Sequence, residues 1–516
     1  MRCRVKHMMA GMLLTAFALW AQDDPIKTLV GRLDLAHYRA TIKALTKFGD
    51  RRQGTDRNRD AVDWIEAQLK SYGCANTERI HYEYRPPSSP APPPPRPPFP
   101  AAQGGGVIKG ELGSRGVSDT DPDVQPDPRL RQLNMQLSTP GPREEVFCTK
   151  IGTTHPEEMY IVAAHMDGRG WGEAANDDAS GTALVMEIAR ILGAPEVTTE
   201  RSIRFALWNN EEAGNAGSQS YVDQRKDLQG KEDPPGSGKY PEPKWLGMIQ
   251  HDMMLFDHGM PRRDGTVSDQ QRPEADVNIE FQSQSKFAAQ SAELAWAFRD
   301  ANEKYASDYP AQVGPHMANT DSGAFRDLTP AISLRELESG SEIGAGWDPT
   351  HHQPTDVFSH FSDGDFRLGL NATQTTLGAV AQLAGARLGQ AAPFVGNWRS
   401  KNGGELRFVV ENGRLRMDGK IILRDGNSRT VVVIYQFDGQ EHPTEVAGER
   451  KHSKHTTLQK RIDDHTIESR TNHDDGKEYT TERLVVSPDG SELTITQRGQ
   501  RADGTLSETV VTFVRQ

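Results

Sequence analysis

The sequence predicts an α/β unit with a mixed, mainly parallel central sheet and helices on both faces, followed by an antiparallel β barrel or sandwich. Two observations lead to this prediction. Between about 141 and 388, short apolar runs alternate with helical segments, as in units that connect parallel strands through helices. From about 393 onwards, short alternating runs are separated by Asn-Gly and Asp-Gly pairs, which are typical of hairpin turns.

Composition limits the classes of function. The chain has 516 residues, which is enough for about two to four domains and for a core that can hold a buried charged site. The formal net charge is −12. Nucleic acids and anionic lipid surfaces both attract basic proteins, so the charge argues against either as a partner.

The first residues predict an export signal. Arg2, Arg4 and Lys6 precede a short apolar stretch over 8–20, and Ala21 provides a small residue before a polar segment. We therefore expect a signal peptide over 1–21, a secreted or periplasmic mature protein, and no stable membrane insertion after cleavage. Of the three cysteines, Cys74 and Cys148 remain, and they either form a disulfide or stay as two buried thiols.

The α/β domain is expected over 22–390. Apolar spacing over 61–69 predicts an amphipathic helix that ends near Gly73, and 77–84 is a strand candidate. Proline dominates 85–100 and three glycines follow at 104–106, a composition that favours polyproline II or disorder. We interpret about 85–140 as a disordered excursion from this domain and a passive spacer, in preference to an SH3-type ligand.

Further strand candidates in this domain end close to polar residues. Apolar runs at 145–149, 159–164, 203–208 and 245–250 predict strands, and 182–192 predicts a helix. Ligand sites in such sheets lie beyond the carboxyl ends of the strands. We therefore expect the functional site at that edge.

The region 393–516 is predicted to be β-rich throughout. Its strand candidates are 406–410, 429–435, 466–470, 483–486, 492–497 and 509–514. Gly396-Asn397-Trp398 resembles the Gly-x-Trp signature of lipocalin-like barrels. Neither aromatic nor acidic residues cluster here, so a structural or accessory role is favoured over binding of a ligand or carbohydrate.

Five motifs place metal-ligand residue types near the ends of predicted elements. In chain order they are His165-x-Asp167, Asn176-Asp177-Asp178-x-Ser180-Gly181, Glu211-Glu212-x-Gly214, the strand-terminal Asp252, and His352-x-Pro354-x-Asp356. Alone, a His-x-Asp or a Glu-Glu pair is usually a solvated loop or helix start. Together and in order, they predict a metal site built from histidine and carboxylate ligands.

The order of these motifs resembles the M28 family of metallopeptidases, of the co-catalytic di-zinc aminopeptidase type, over about 54–388. The resemblance implies a secreted zinc-dependent exopeptidase, foremost an aminopeptidase, that acts on peptide substrates and binds two Zn²⁺ ions. Zinc is favoured by the ligand types, although cobalt or manganese also suits them. The oligomeric state and the preferred residue stay open.

The resemblance also implies a role for each residue. Asp177 would bridge the two ions, with His165 and Asp252 on one and Glu212 and His352 on the other. Glu211 would be the general base that takes a proton from the zinc-activated water. Asp167 would accept the second imidazole N–H of His165, and the Asp177–Asp178 peptide bond is cis in the family.

Several assignments remain open or secondary. His351 competes with His352, but the phase of the His-x-Pro-x-Asp motif favours His352. Asp257 competes with Asp252, but only Asp252 directly follows an apolar run. Residues 319–332 resemble a cleft-lining Ser-Asp-His-x-x-Phe segment, but Ser322 and Gly323 depart from it. The polar insertion 226–244 is a candidate rim or lid. Five other histidines are interpreted as ordinary polar or core residues: His155, His251, His258, His316 and His360.

Two other functions fit the same scaffold. The first is a carboxypeptidase-like or glutaminyl-cyclase-like enzyme, although the paired Asp177 and Asp178 argue against the cyclase. The second is a non-catalytic binding protein, which the complete set of ligand positions argues against.

Overall fold

The structure is a computed structural model. It describes residues 24–516 except 75, 87–116, 118–120, 195, 257–258, 262–266, 272–276, 315–319, 337–347, 349, 389–391, 412–413, 423–426, 438, 444–454, 464, 473–478, 488–489 and 501–503. The predicted signal peptide, most of the proline-rich run and Asp257 lie outside the described residues. Within the part described, no helix is long and apolar enough to cross a membrane.

An eight-stranded sheet forms the centre of the first part of the chain, in the order β1-β2-β5-β3-β6-β11-β9-β10. The strands of this part are β1 Glu78–Tyr84, β2 Gly141–Lys150, β3 His155–His165, β4 Val197–Thr198, β5 Arg201–Trp208, β6 Lys244–His251, β7 Gly259–Pro261, β8 Val267–Gln271, β9 Val277–Phe281, β10 Ala311–Gly314, β11 Ala331–Arg335 and β12 Arg387–Leu388. The four pairs β5–β3, β3–β6, β6–β11 and β9–β10 are parallel. The pairs β1–β2, β2–β5 and β11–β9 are antiparallel, so the prediction of a mixed, mainly parallel sheet is confirmed.

Helices cover both faces of this sheet. They are α1 Pro25–Val30, α2 Leu35–Leu45, α3 Asp56–Ser71, α4 Pro128–Leu133, α5 Ala179–Leu192, α6 Ala216–Arg225, α7 Ala288–Tyr305 and α8 Asp363–Leu383. Side chains alternate along β3, so Val162 and Ala164 join a core with α1, α2, α3, α5, α7 and α8. Ile161 and Ala163 join the opposite core, to which α6 contributes.

Four neighbouring parallel strands end at the same edge of the sheet. They end at His165 in β3, Trp208 in β5, His251 in β6 and Arg335 in β11. The last five residues of each strand are buried, because side chains on both faces of the sheet pack into a core. The polar residues that follow these strands are thereby brought to one edge.

Part of the expected disordered excursion is ordered. Residues 121–140 are described and include α4, whose N-cap Asp127 accepts a hydrogen bond from the N–H of Leu130. Buried Gln125 and Asn134 both donate through their side-chain amides to the carbonyl of Trp171, at 2.8 and 2.9 Å. The run of prolines over 85–100 and the glycines at 104–106, which suggested disorder, both precede this segment. The segment instead supports a loop of the candidate site.

A disulfide joins Cys74 and Cys148, which are 74 residues apart in the chain. Cys74 follows α3, and Cys148 lies on β2 with no exposed surface. Of the two alternatives open from the sequence, the structure has the paired cysteines. The bond fixes the end of α3 to the central sheet.

The C-terminal region is a single ten-stranded sheet, and all its described pairings are antiparallel. Its strands are β13 Gly396–Ser400, β14 Glu405–Glu411, β15 Arg414–Ile422, β16 Ser428–Ile434, β17 Glu441–Pro443, β18 Thr456–Asp463, β19 Thr466–Asn472, β20 Tyr479–Val486, β21 Glu492–Gln500 and β22 Leu506–Arg515. The sheet curls into a half-barrel around its own apolar core, which includes Trp398 and Phe408. The predicted antiparallel β class is confirmed.

Candidate metal centre

The loop that follows β3 carries the first candidate ligands. His165 is the last residue of β3, and the peptide bond between Asp177 and Asp178 is cis, as the resemblance implies. Buried Arg51 holds the loop between them by donating hydrogen bonds to three of its carbonyls. These are the carbonyls of Met166 at 2.8 Å, Glu173 at 2.9 Å and Ala174 at 2.7 Å.

The predicted ligands form two groups that share Asp177. In the first, His165 Nε2 lies 3.3 Å from Asp177 Oδ1 and 3.7 Å from Asp252 Oδ1. In the second, His352 Nε2 lies 3.0 Å from Asp177 Oδ2 and 2.9 Å from Glu212 Oε2. The two oxygens of one carboxylate therefore face two different groups.

The donor set fits metal ions. Tetrahedral ligands at about 2.0–2.1 Å from zinc lie about 3.3 Å from one another. The distances from His165 Nε2 and His352 Nε2 to the carboxylate oxygens of their groups, 2.9 to 3.7 Å, are close to this value. The Oε1 atom of Glu212 is buried and has no hydrogen-bond partner in the described structure. The imidazoles are also outnumbered by the buried carboxylates around them, so bound cations would balance the charge.

Electrostatics in the two groups follows from burial and from the mixture of imidazoles and carboxylates. Burial alone would lower the pKa of His165, but Asp178, Asp177 and Asp252 outweigh it and raise that pKa well above its ordinary value. Burial and then Asp177 raise the pKa of Glu212 to about 7. Burial would raise the pKa of Asp252, but Arg335 and His165 lower it to about 2.

Both candidate histidines near the second group face Asp177. His351 Nε2 lies 3.5 Å from Asp177 Oδ2, and the two imidazole rings are 3.8 Å apart between centroids. His352 Nε2 lies within 3.0 Å of Asp177 Oδ2 and 2.9 Å of Glu212 Oε2. The geometry therefore favours His352 but also brings His351 within reach of a metal.

Asp167 differs in its contacts from the expectation. The Nδ1 atom of His165 lies 3.0 Å from the backbone carbonyl of Asp167 and 3.8 Å from its carboxylate Oδ1. The carboxylate of Asp167 accepts hydrogen bonds from the backbone N–H groups of Glu211 at 3.0 Å and Glu212 at 3.4 Å. Asp167 thus orients His165 through its main chain and positions Glu211 and Glu212 through its side chain.

Two further carboxylates fix the loop around Asp177. Asp178 caps α5 by accepting from the N–H of Gly181 at 2.9 Å, and its Oδ2 accepts from the N–H of His165 at 3.2 Å. Asp356, from the last motif, accepts from the N–H of Asn176 at 2.8 Å and of Asp177 at 3.1 Å. These bonds hold the backbone on both sides of the candidate ligands.

Glu211 lies on a cleft beside the second group. The cleft has a volume of about 840 Å³ and is lined by Glu211, Glu212 and His352 among others. Burial raises the pKa of the Glu211 carboxyl well above its ordinary value; His165 opposes this shift, while Asp321 and Glu212 add to it. A carboxyl with a raised pKa at the edge of a metal site is suited to accept and return a proton.

Sequence reasoning missed two buried charged residues that support the site. Arg335 donates through Nη2 to Asp252 Oδ2 at 3.0 Å, so that the other oxygen of Asp252 faces His165. Glu336 accepts from the side-chain amide of Asn176 at 2.9 Å and the N–H of Leu255 at 3.0 Å. Both residues come at the end of β11, a position that could have drawn attention to them.

The insertion 226–244 is not a lid. None of its residues, all of which the structure describes, lines the cleft. It precedes β6, whose other end carries Asp252, and its buried Glu242 binds Arg204 and Tyr221. The polar composition that suggested a rim belongs to a loop at the opposite edge of the sheet.

His251 is an ordinary core histidine, as interpreted from the sequence. Its ring nitrogens lie 2.9 Å from the carbonyl of Ala163 and 2.9 Å from the hydroxyl of Thr376. His258 and His316 lie outside the described residues. In the segment 319–332, Thr320, Gly323 and Ala324 line the cleft, and Asn319 is not described.

Comparison with known proteins identifies this part of the chain. A model described as peptidase family M28 matches residues 146–368. The chain carries an M28 peptidase domain. That stretch contains all seven site residues predicted from the sequence, from His165 to His352.

Three curated relatives resemble parts of this chain. Aminopeptidase YwaD of Bacillus subtilis is 41% identical over 69 residues, which are 13% of this chain and 14% of YwaD. The probable lipoprotein aminopeptidase LpqL of Mycobacterium tuberculosis is 27% identical over 244 residues, or 46% of this chain and 45% of LpqL. Carboxypeptidase Q of Xenopus laevis is 30% identical over 76 residues, or 15% and 16% of the two chains. The chain thus spans less than half the length of these relatives.

Proposed function

We propose that this protein is a zinc-dependent exopeptidase that removes amino-terminal residues from peptides after export from the cytoplasm. The observation that carries the proposal is the carboxylate of Asp177, whose two oxygens face two separate ligand groups beside a cleft that contains Glu211. Two of the curated relatives are named as aminopeptidases, and this supports cleavage from the amino end of the peptide.

In this proposal, His165 and Asp252 would hold one zinc ion, Glu212 and His352 would hold the other, and Asp177 would contribute one carboxylate oxygen to each. The ions would supply Lewis-acid polarisation of the scissile carbonyl and of a water. Arg335 would keep one oxygen of Asp252 directed at its ion. Asp167 would keep the backbone of Glu211 and Glu212 in place.

Glu211 would carry the proton transfers. Its carboxylate would accept a proton from the attacking water and deliver it to the amine of the leaving group. Burial and neighbouring carboxylates raise its pKa, which makes it a better acceptor at neutral pH than an exposed glutamate.

Export is proposed from two observations. Residues 1–21 have the pattern of a signal peptide, and the Cys74–Cys148 disulfide suits an oxidising compartment. A carboxypeptidase is the second candidate, because Carboxypeptidase Q is among the relatives.

The test is a digest of matched peptides by the zinc-loaded protein, followed by mass spectrometry. One peptide has free ends, one is acetylated at its amino end and one is amidated at its carboxyl end. Stepwise loss from free amino ends that acetylation abolishes supports the aminopeptidase. Loss from carboxyl ends that amidation abolishes moves the assignment to the carboxypeptidase, and an unchanged mixture contradicts both.

A further inference from the structure

The cleft beside the candidate metal centre has an unusual distribution of charge. Its described lining includes two arginines, Arg169 and Arg326. Glu211 and Glu212 are the acidic residues among those lining residues, and both are already assigned to metal binding and proton transfer. The charged groups left for contact with a substrate are therefore both positive.

The rest of the described lining is polar or small. It includes Asn215, Gln219, Gln282 and Thr320, with two glycines and an alanine. Apart from the imidazole of His352, the described lining contains no aromatic or long aliphatic side chain. Such a surface offers little apolar area to a leucine or phenylalanine side chain. A cleft whose available charges are of one sign concentrates ligands of the opposite charge.

Arg326 is held at the rim by its surroundings. Its Nη1 donates to Gln282 Oε1 at 3.0 Å, and its Nε lies 3.7 Å from Asp327 Oδ2. Asp327 also accepts a hydrogen bond from the N–H of Lys286 at 3.0 Å, so the 282–287 loop and the 326–327 turn are tied together. The Arg326 side chain is 51% exposed, which leaves it accessible to a substrate.

Arg169 is the second arginine that lines the cleft. It lies in the loop between His165 and Asp177 and lines the cleft together with Glu211 and His352. A guanidinium presents several N–H donors in a plane that matches a carboxylate.

We infer that Arg169 and Arg326 bind a carboxylate of the substrate and make the enzyme selective for peptides that carry one next to the scissile bond. This inference rests on the proposed peptidase function and specifies its substrate class. The carboxylate is either an aspartate or glutamate side chain or the carboxyl terminus of a short peptide.

Three dipeptides separate these sources. Asn-Ala-amide carries neither carboxylate, Asp-Ala-amide carries only the side-chain carboxylate, and Asn-Ala carries only the terminal one. A charge-assisted hydrogen bond gives a preference of about tenfold or more in kcat/KM for the carboxylate peptide over Asn-Ala-amide. The preferred peptide identifies the source.

Substitution of the arginines tests their part. In Arg326→Gln and in Arg169→Gln, the preference ratio is expected to fall to below about threefold. The matched control is Arg367→Gln, an exposed position on α8 away from the cleft, which should keep the wild-type ratio. Arg326 is exposed, so its variant is expected to fold even if the Arg169 variant does not.

Calorimetry with the same peptides on the zinc-loaded Glu211→Gln variant distinguishes failure of this inference from failure of the proposed function. If wild type cleaves none of the three peptides, the peptidase proposal fails, and the ratio of dissociation constants still reports carboxylate selectivity. Equal binding of all three peptides, or a preference unchanged by both arginine substitutions, overturns the inference.

Discussion

At the scale of single residues, Asp177 determines the form of the candidate centre. Motif order predicts it as the bridging residue, and in the structure its Oδ1 faces His165 and its Oδ2 faces His352. The spacing of the His-x-Pro-x-Asp motif favoured His352 over the adjacent His351, but the loop conformation decides which imidazole faces inward. His352 has a positive φ of 56°, a conformation that sequence does not specify for histidine.

Replacement of the bridging carboxylate tests the two-ion arrangement. In Asp177→Asn, we expect zinc content after dialysis to fall from two ions per chain to fewer than one, because both ligand groups lose a charged oxygen. Elemental analysis measures this. The exposed Asp308→Asn serves as the control, and a variant that still held two ions would show that another residue bridges.

Glu211 is predicted to matter for turnover and not for metal content. Glu211→Gln keeps the size of the side chain but removes the proton acceptor, so kcat should fall by about 10²–10⁴-fold at unchanged zinc content. Peptide turnover and elemental analysis are measured together, with the exposed Glu293→Gln as the control. Retained turnover would remove Glu211 from the proposed mechanism.

At the scale of elements, the ends of the parallel strands were predictable and the loops between them were not. Apolar runs located β3, β5 and β6 because these strands are buried on both faces, and the motif residues follow them directly. The support of the 166–174 loop by Arg51 was invisible, because it depends on contacts more than 100 residues apart in sequence. Sequence did not show the roles of Gln125 and Asn134 either, because each contacts Trp171 across several tens of residues, 46 and 37 respectively.

Arg51 is predicted to stabilise that loop. Arg51→Lys cannot donate to the carbonyls of Met166, Glu173 and Ala174 together, which leaves buried acceptors without partners. We expect the free energy of unfolding to fall by about 2–4 kcal/mol, with weaker zinc binding.

Urea denaturation followed by tryptophan fluorescence measures this loss, and zinc titration measures the affinity. Arg367→Lys on the exposed surface of α8 is the matched control. Equal stability of the Arg51 variant and wild type would mean that the loop keeps its conformation without the guanidinium.

At the scale of the whole molecule, the described structure contains separate cores on either side of about residue 390. The two cores around the central sheet use residues up to Leu388, and the third core begins at Phe394. The turn pairs of the C-terminal region predicted its antiparallel class. They did not predict an open half-barrel, because sheet closure depends on strand stagger and on contacts between distant strands.

Deletion of 393–516 tests the role of this region. Because every candidate site residue and both cores around the site precede it, we expect the shortened protein to keep short-peptide turnover within about threefold. A large loss of turnover would assign the C-terminal sheet a direct part in activity. A lowered melting temperature at unchanged turnover would support the structural role favoured by the sequence.

The disulfide has a consequence for how the chain withstands proteases. Cys74 and Cys148 bracket the proline-rich run and α4, so a single cut of the backbone anywhere between them yields two pieces that stay covalently attached. Such a nicked molecule would migrate as one band on a non-reducing gel and separate into two after reduction. After a cut that falls between β1 and β2, the first piece would contain β1 and the second piece would contain β2. Both pieces would stay on the same sheet, because these two strands pair with each other.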